Sequence, residues 1–413
     1  MINQFFKDPK TILRMHEGPI GTHINIYAKF LCDQGYSRQS SCSQLRLIAN
    51  FSKWLQLQNI KVEDISHKII DKYLKYRKQF VKINRGDQFA LNRLLDILDG
   101  LGISCRKVLN KAKSEYQQVE DDFKNYLFNE RNLAPATVVN YLPIVHKFLF
   151  ERFGNNPIRF NSLHARDITG FILRHASNYS NKRAQLMVTA IRGFLRYLLL
   201  QKKIITDLSA CVPTVPCWQL STIPKYLQPE QVQTILKYCN NRQAPVGIRN
   251  YAILLLLARL GLRACEVIAI ELEDIEWETG HINIRGKEGG KVRFPLPKDV
   301  GEAIADYLKN GRPRCLTRHV FVRQYAPIQK IGNSSTISSI VRRAIIHTGI
   351  NSHHKGAHLF RHTLATQMLR QGASLAEIGE LLRHQSPKTT LIYAKVDITA
   401  LKILAQPWPG GDL

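Results

Sequence analysis

Apolar side chains recur at intervals of three and four residues through nearly all of residues 1–203, which commits that half of the chain to half-buried helices. Ile26, Phe30 and Leu31 begin the pattern, and Leu45, Ile48, Ala49 and Leu55 continue it. It returns at Phe123, Tyr126 and Leu127, at Tyr141, Val145, Phe148 and Leu149, and at Ile191, Phe194, Leu195 and Leu198. Pro213, Pro216, Pro224 and Pro229 then cut the stretch 204–229, whose composition is that of an interdomain linker. Gln228-Pro229-Glu230 opens a new helix, with proline in the first turn and an acidic residue behind it.

Beyond the linker the pattern is mixed. Tyr251 to Leu260 is a short, almost wholly apolar helix that belongs at the centre of a core. His281–Arg285 and Lys291–Leu296 alternate around Gly286-Lys287-Glu288-Gly289-Gly290. This is a β-hairpin signature, with Ile282, Ile284, Val292, Phe294 and Leu296 expected on the buried side. Helices resume to about residue 406. The expected fold is therefore mainly α with a small antiparallel β-sheet in the last part of the chain. Four segments are expected: helical regions 1–110 and 115–205, a linker 206–226, and a mixed region 227–413. The two helical regions hint at a repeat. Tyr27-Ala-Lys-Phe-Leu and Phe123-Lys-Asn-Tyr-Leu open them, and Asp64-Ile65-Ser66 and Asp167-Ile168-Thr169 each start a later helix.

Charge narrows the partner. The 413 residues carry 59 Lys and Arg against 32 Asp and Glu, a formal charge of +27. The excess is shared, +17 in residues 1–225 and +10 in residues 226–413. With 44% hydrophobic residues the chain has material for real cores, so a disordered basic tail does not account for the charge. A folded protein that is basic throughout binds a long polyanion, and nucleic acid comes first. No apolar run approaches the roughly 20 residues of a spanning helix, and the first residues lack a signal-peptide core. A cytoplasmic location is expected, with no membrane partner. The eight cysteines are scattered without a CxxC pair, so neither a disulfide framework nor a zinc site is expected.

The mixed region gathers cationic and imidazole groups. Arg263 follows the apolar helix, Lys287 sits at the hairpin tip, His358, Arg361 and His362 fall close together, and His384 and Tyr393 come last. Singly, each has an ordinary reading as an ion-pair partner, a solvated tip or a packing group. Together they suit one substrate. Two arginines can clamp the non-bridging oxygens of a phosphodiester and stabilise its transition state without a metal. A tyrosine phenol can attack phosphorus and conserve the bond as an ester. Its ordinary pKa near 10 calls for a base and a positive field, which a histidine and the arginines supply. A lysine can protonate the leaving oxygen.

These residues resemble, in order, the four motif blocks of the tyrosine recombinase, or phage integrase, family. The blocks are Gly261-Leu262-Arg263-x-x-Glu266, Gly286-Lys287-x-x-x-Lys291-x-Arg293, His358-x-x-Arg361-His362-Thr363, and Leu381-Leu382-Arg383-His384 through to Tyr393. The resemblance implies that Arg263, Arg361 and His384 bind the scissile phosphate, with Glu266 supporting the arginines. It implies Lys287 as general acid on the 5′-oxygen, His358 as base or proton shuttle, and Tyr393 as the nucleophile that forms a 3′-phosphotyrosyl bond. Lys291 rivals Lys287 on spacing alone.

Residues 115–205 then correspond to a helical core-binding (SAM-like) domain, and 227–413 to an α+β integrase-type catalytic domain. Residues 1–110 are an addition, either a second core-binding-like bundle or an arm domain. Two positions depart from the family: Arg383 stands where glycine is usual and Phe360 where leucine is common. The implied activity is site-specific recombination of double-stranded DNA, serving integration or excision of a mobile element, by a homotetramer that other recombinases can join. No cofactor or metal is implied. A type IB topoisomerase and a non-catalytic DNA-binding protein are the alternatives. Leu401, Ile403 and Leu404, ahead of Pro407-Trp408-Pro409, form a tail suited to packing in a neighbouring subunit.

Overall fold

The computed structural model describes residues 1–103, 114–216, 223–240, 244–286 and 290–396. Its contacts divide the chain into two units, residues 1–105 together with 223–413, and residues 106–222.

The first bundle comprises α1 (Pro9–Met15), α2 (Ile24–Asp33), α3 (Arg38–Leu57), α4 (His67–Lys78) and α5 (Arg85–Gly100). Ser37 caps α3 by accepting a hydrogen bond from the Ser40 amide, as a serine ahead of a helix does. Tyr27, Leu31, Leu45, Ile48, Phe51, Ile70 and Leu98 fill the core. Ile26, expected on the inward face of α2, is 40% exposed. Tyr27 and Leu31, four apart, define that face instead.

The second bundle has its own core in α6 (Glu115–Asn125), α7 (Pro135–Phe153), α8 (Ala165–Ala176) and α9 (Asn181–Leu200). Pro135 sits in the first turn of α7, where its missing N–H costs nothing. The two Asp-Ile segments do not occupy equivalent places. Asp64-Ile65-Ser66 precedes α4, whereas Asp167-Ile168-Thr169 lies within α8. Ile65, one residue before the cap of α4, corresponds in position to Leu163 before α8, and both are buried.

The rest of the first unit is built on α10 (Pro229–Asn240) and α11 (Pro245–Leu260). Ala252 to Leu257 of α11 are at most 1% exposed, and the helix packs against α10 and two later helices, α13 and α15. There follow α12 (Ala264–Ala269) and an antiparallel sheet ordered β1 (Ile275–Glu276), β2 (His281–Arg285) and β3 (Lys291–Pro295). Ile282 pairs with Phe294, and both are buried with Ile284. Val292 departs from its expected burial and is 41% exposed, at the end of the edge strand β3 away from the core-facing Phe294. The chain continues through α13 (Lys298–Asp306), α14 (Ser334–His347), α15 (His358–Arg370), α16 (Leu375–Leu381) and α17 (Pro387–Thr390) to a 3-10 turn, Leu391–Val396. The expected terminal apolar helix lies outside the described residues.

Gly261 ends α11 with φ +56°, in the left-handed region that favours glycine. A Cβ there would lie 2.8 Å from Leu382 and 3.0 Å from Leu364. Gly280 has a similar φ of +65° but open space around it. Gly261→Ala should therefore cost more stability than Gly280→Ala. About 1–3 kcal/mol is expected at position 261 and about 1 kcal/mol at position 280, read as urea-unfolding midpoints. Equal losses would mean that backbone strain alone matters at both sites.

Candidate active site

Helices α11, α12, α15 and the turn after α16 meet around one buried guanidinium. Arg361 is 3% exposed, on the first turns of α15. It donates from Nη1 to the Gly261 carbonyl at 2.7 Å and from Nη2 to the Leu382 carbonyl. Arg263, at the cap of α12, donates from Nη1 to Glu266 Oε1 at 2.7 Å and reaches the Arg383 carbonyl at 3.4 Å. Both arginines thereby fasten the same turn, the one that carries His384.

Arg383 is the turn's distinctive residue. Its φ of +55° is left-handed, which explains why glycine is usual at this position in the family that the motifs resemble. The conformation costs a non-glycine residue about 1–2 kcal/mol. Two contacts offset that strain: an ion pair from Nη2 to Glu266 Oε2 at 2.8 Å, and stacking over the Phe294 ring at 4.8 Å. Glu266, itself 6% exposed, thus holds Arg263 and Arg383 together. These two arginines and the nearby Arg361, against one carboxylate, leave a strongly positive pocket.

Tyr393 comes from the 3-10 turn and is 1% exposed, packed with Ala365, Ile378, Leu382 and Val396. Its hydroxyl lies 2.9 Å from His362 Nδ1. The His384 ring lies parallel to the tyrosine ring at 6.4 Å, and His384 Nδ1 lies 2.8 Å from Thr390 Oγ1. His358 opens α15 and is exposed, with its ring 6.4 Å from that of His362.

Burial and the arginines set the protonation states. Burial pushes the Tyr393 phenol up to about 12, against the opposing pull of Arg361 and Arg263. Burial, followed by Arg361 and Arg263, pushes His384 down to about 4. Partial desolvation and the same two arginines hold His358 below its ordinary value. Burial first, then Arg263 and Arg383, pull Arg361 down to about 10. At neutral pH the imidazoles of His358 and His384 are neutral, the phenol keeps its proton and Arg361 is charged.

The fold thus brings together five of the six sequence-predicted residues: Arg263, His358, Arg361, His384 and Tyr393. The sixth, Lys287, lies outside the described residues. Its rival Lys291 is engaged elsewhere, 2.9 Å from the buried carboxylate of Asp274. His362 and Arg383, singled out in the sequence but given no catalytic role there, also belong to the site. His362 adjoins Arg361 in sequence, but only the packing of the 3-10 turn on α15 brings it to the phenol. The signal for Arg383 is its departure from glycine.

Comparison with known proteins matches a model described as the phage integrase family to residues 225–399. A second model, the phage integrase N-terminal SAM-like domain, matches residues 121–202. The chain is 44% identical over 398 residues to an integrase/recombinase of Sinorhizobium fredii, an alignment covering 96% of each protein. It is 29% identical over 286 residues to tyrosine recombinase XerC of Natranaerobius thermophilus, covering 67% of this chain and 93% of that one. The crystal structure of XerH site-specific recombinase bound to a palindromic difH substrate shares the fold. The TM-score is 0.55 at 20% identity, over 82% of this chain and 94% of that one.

The low pKa of His384 has a consequence for stability. The unfolded chain takes up this proton near its ordinary value of about 6.5, well before the folded protein does. The corresponding stability is complete above about pH 6.5 and falls as the pH drops toward 4. His384→Gln should therefore lose less of its urea midpoint than the parent protein between about pH 7 and pH 4.5. Parallel losses would show that His384 is not held neutral.

Proposed function

The chain belongs to the phage integrase family, that of the tyrosine recombinases, and on that premise we propose that it recombines DNA through Tyr393, in a pocket built by Arg263, Arg361 and His384. Site-specific DNA recombination is the activity of the family and of its integrase/recombinase relatives. The observation that carries the residue assignment is the convergence of both arginines, His384 and Tyr393 around the turn 381–384.

In this reading a scissile phosphate binds where Arg263 and Arg361 have N–H groups to spare beyond the carbonyls and the carboxylate they already hold. Charge-assisted bonds to its non-bridging oxygens stabilise the added negative charge of the transition state. His384 donates a further hydrogen bond from Nε2 when Nδ1 accepts from Thr390. The Tyr393 oxygen forms a bond to phosphorus as the bond from phosphorus to the 5′-oxygen breaks. Lys287 delivers a proton to that oxygen, and His358 receives the phenol proton. The phosphotyrosyl ester keeps the energy of the broken bond, so rejoining is the same displacement in reverse, with a 5′-hydroxyl as nucleophile. Before it attacks, the phenol must exchange His362 for the phosphate, which links reactivity to DNA binding.

The protein would act in the cytoplasm as a tetramer on two duplexes. Integration or excision of a mobile element is the role we assign it, since the family-model matches leave residues 1–120 as an addition. Residues 115–205 would grip the duplex as the core-binding domain, joined by the linker 206–226 to the catalytic domain 227–413.

Tyr393→Phe should bind duplex normally and form no covalent adduct on a nicked suicide substrate, read by denaturing gel. An adduct in this variant would refute the nucleophile assignment. Lys287→Ala should cut a normal phosphodiester at least about a hundredfold more slowly, as loss of a general acid does. It should cut a substrate with sulfur at the 5′-bridging position at nearly the parental rate, because a thiolate leaves without a proton. If Lys291→Ala shows this rescue and Lys287→Ala does not, the acid is Lys291.

A further inference from the structure

Four helices of the first bundle, α2 to α5, follow the order of α6 to α9 in the second, and α1 has no counterpart. Each has a 3-10 turn, Val62–Asp64 or Phe160–Ser162, between its long helix and a helix of 12 residues. The long helices have 20 residues in α3 and 19 in α7. Aligned at their caps, α3 and α7 bury Ser41 and Val138, Ile48 and Val145, Phe51 and Phe148, and Ser52 and Leu149 at matching positions. Likewise α4 and α8 bury Ile70 and Ile168, Tyr73 and Phe171, and Leu74 and Ile172. The same ring pair packs in both cores, Phe51 on Tyr73 at 4.9 Å and Phe148 on Phe171 at 5.2 Å. Element order, these buried positions and one ring contact agree between the bundles, while Ala49 and Trp54 of α3 are buried where α7 has the exposed His146 and Glu151.

The copies differ on their outer faces. Residues 1–103 hold 16 Lys and Arg against 9 Asp and Glu. Lys68, Lys72 and Lys75 stand at positions i, i+4 and i+7 of α4, on one exposed face opposite Tyr73. Their counterparts on α8 are Arg166, Gly170 and Leu173, so two of the three charges belong to the first copy alone. None of the three lysines has a carboxylate within ion-pair distance among the described residues. Neighbouring acids face other partners: Asp71 accepts from Gln88 Nε2 at 3.4 Å, and Asp87 lies 3.8 Å from Arg77. Asp71, exposed and spaced i+3 from Lys68 and i−4 from Lys75, lies beside the row, but three ammonium groups outnumber it and the face stays net positive, an anion-binding surface.

We propose that the Lys68, Lys72 and Lys75 face of α4 is a second DNA-backbone surface, on a bundle duplicated from the core-binding one. The row spans about 10 Å along the helix, comparable to three or four phosphates of one strand at roughly 3.4 Å of rise each. Its ligand is double-stranded DNA outside the segment held for cleavage, bound without sequence preference. An anionic membrane is the weaker fit, because the apolar face of α4 is taken up by the bundle core and Tyr76 is the one large apolar side chain of α4 left exposed.

The proposal rests on DNA as the substrate, and its test separates the two. The triple variant Lys68→Ala, Lys72→Ala, Lys75→Ala of the full chain is titrated against a long non-specific duplex over a range of salt. Every phosphate that a lysine no longer neutralises lowers the slope of log affinity against log salt by about 0.9, so the expected fall is about 2.7. Covalent trapping on a minimal suicide duplex should stay at the parental level, which also shows that the variant is folded. An unchanged slope overturns the proposal, as does loss of binding to phosphatidylserine vesicles with duplex binding intact. If the parent protein forms no adduct, the recombinase reading fails, while the salt slope still reports on α4.

Discussion

One buried guanidinium holds the site together. Arg361 bridges the carbonyl that ends α11 and a carbonyl in the turn after α16, so segments 100 and 21 residues away are fixed to one side chain. Such a charge is stable at 3% exposure only because its N–H groups meet oxygens and Glu266 lies nearby. The left-handed glycine at 261 is part of the same arrangement. It frees its carbonyl toward Arg361 and leaves room for Leu364 and Leu382, which a β-carbon would displace. The apolar α11 supplies the rigid floor on which these groups are aligned.

The charge balance follows from that core. Arg263 and Arg383 share Glu266 while Arg361 is held by carbonyls, so three guanidinium groups gather near one carboxylate and the pocket keeps an excess of positive charge. Burial, reinforced by that excess, holds His358 and His384 below their ordinary values, and the excess pulls on the Tyr393 phenol, although burial of the phenol outweighs that pull. A tyrosine 1% exposed and in contact with His362 is stored rather than poised. In the proposed reaction, its release would require a partner that replaces both the histidine and the apolar cover. Arg383 gives up the backbone freedom of a glycine and adds an ion pair to the network, fixing the His384 turn through its side chain.

Outside the site, the +27 charge belongs to surfaces rather than to chemistry. The two helical bundles share a core plan and differ in what they present outward. The proposed duplication would leave this pattern, with buried positions held by packing and exposed positions free to change.

The helices of the first half are legible from their period, because burying one face of a helix demands it, and the hairpin is legible from its alternation. Four ordered motifs mark Arg263, His358, Arg361, His384 and Tyr393, since the chemistry of a phosphodiester restricts which side chains suffice. Ile26 and Val292 depart from expectation because period identifies an apolar face without saying whether anything covers it. The Asp-Ile motif misleads as a guide to the proposed repeat, because the matching buried positions of α4 and α8 do not follow the matching letters. The sequence by itself determined the elements and the kinds of reacting groups, through local sterics, periodicity and side-chain chemistry. Only the tertiary structure decided that His362 meets the phenol, that Arg383 joins Glu266, and that Lys291 is engaged by Asp274. Those pairings depend on helices and turns distant in sequence being packed to within hydrogen-bond range, which no local pattern records.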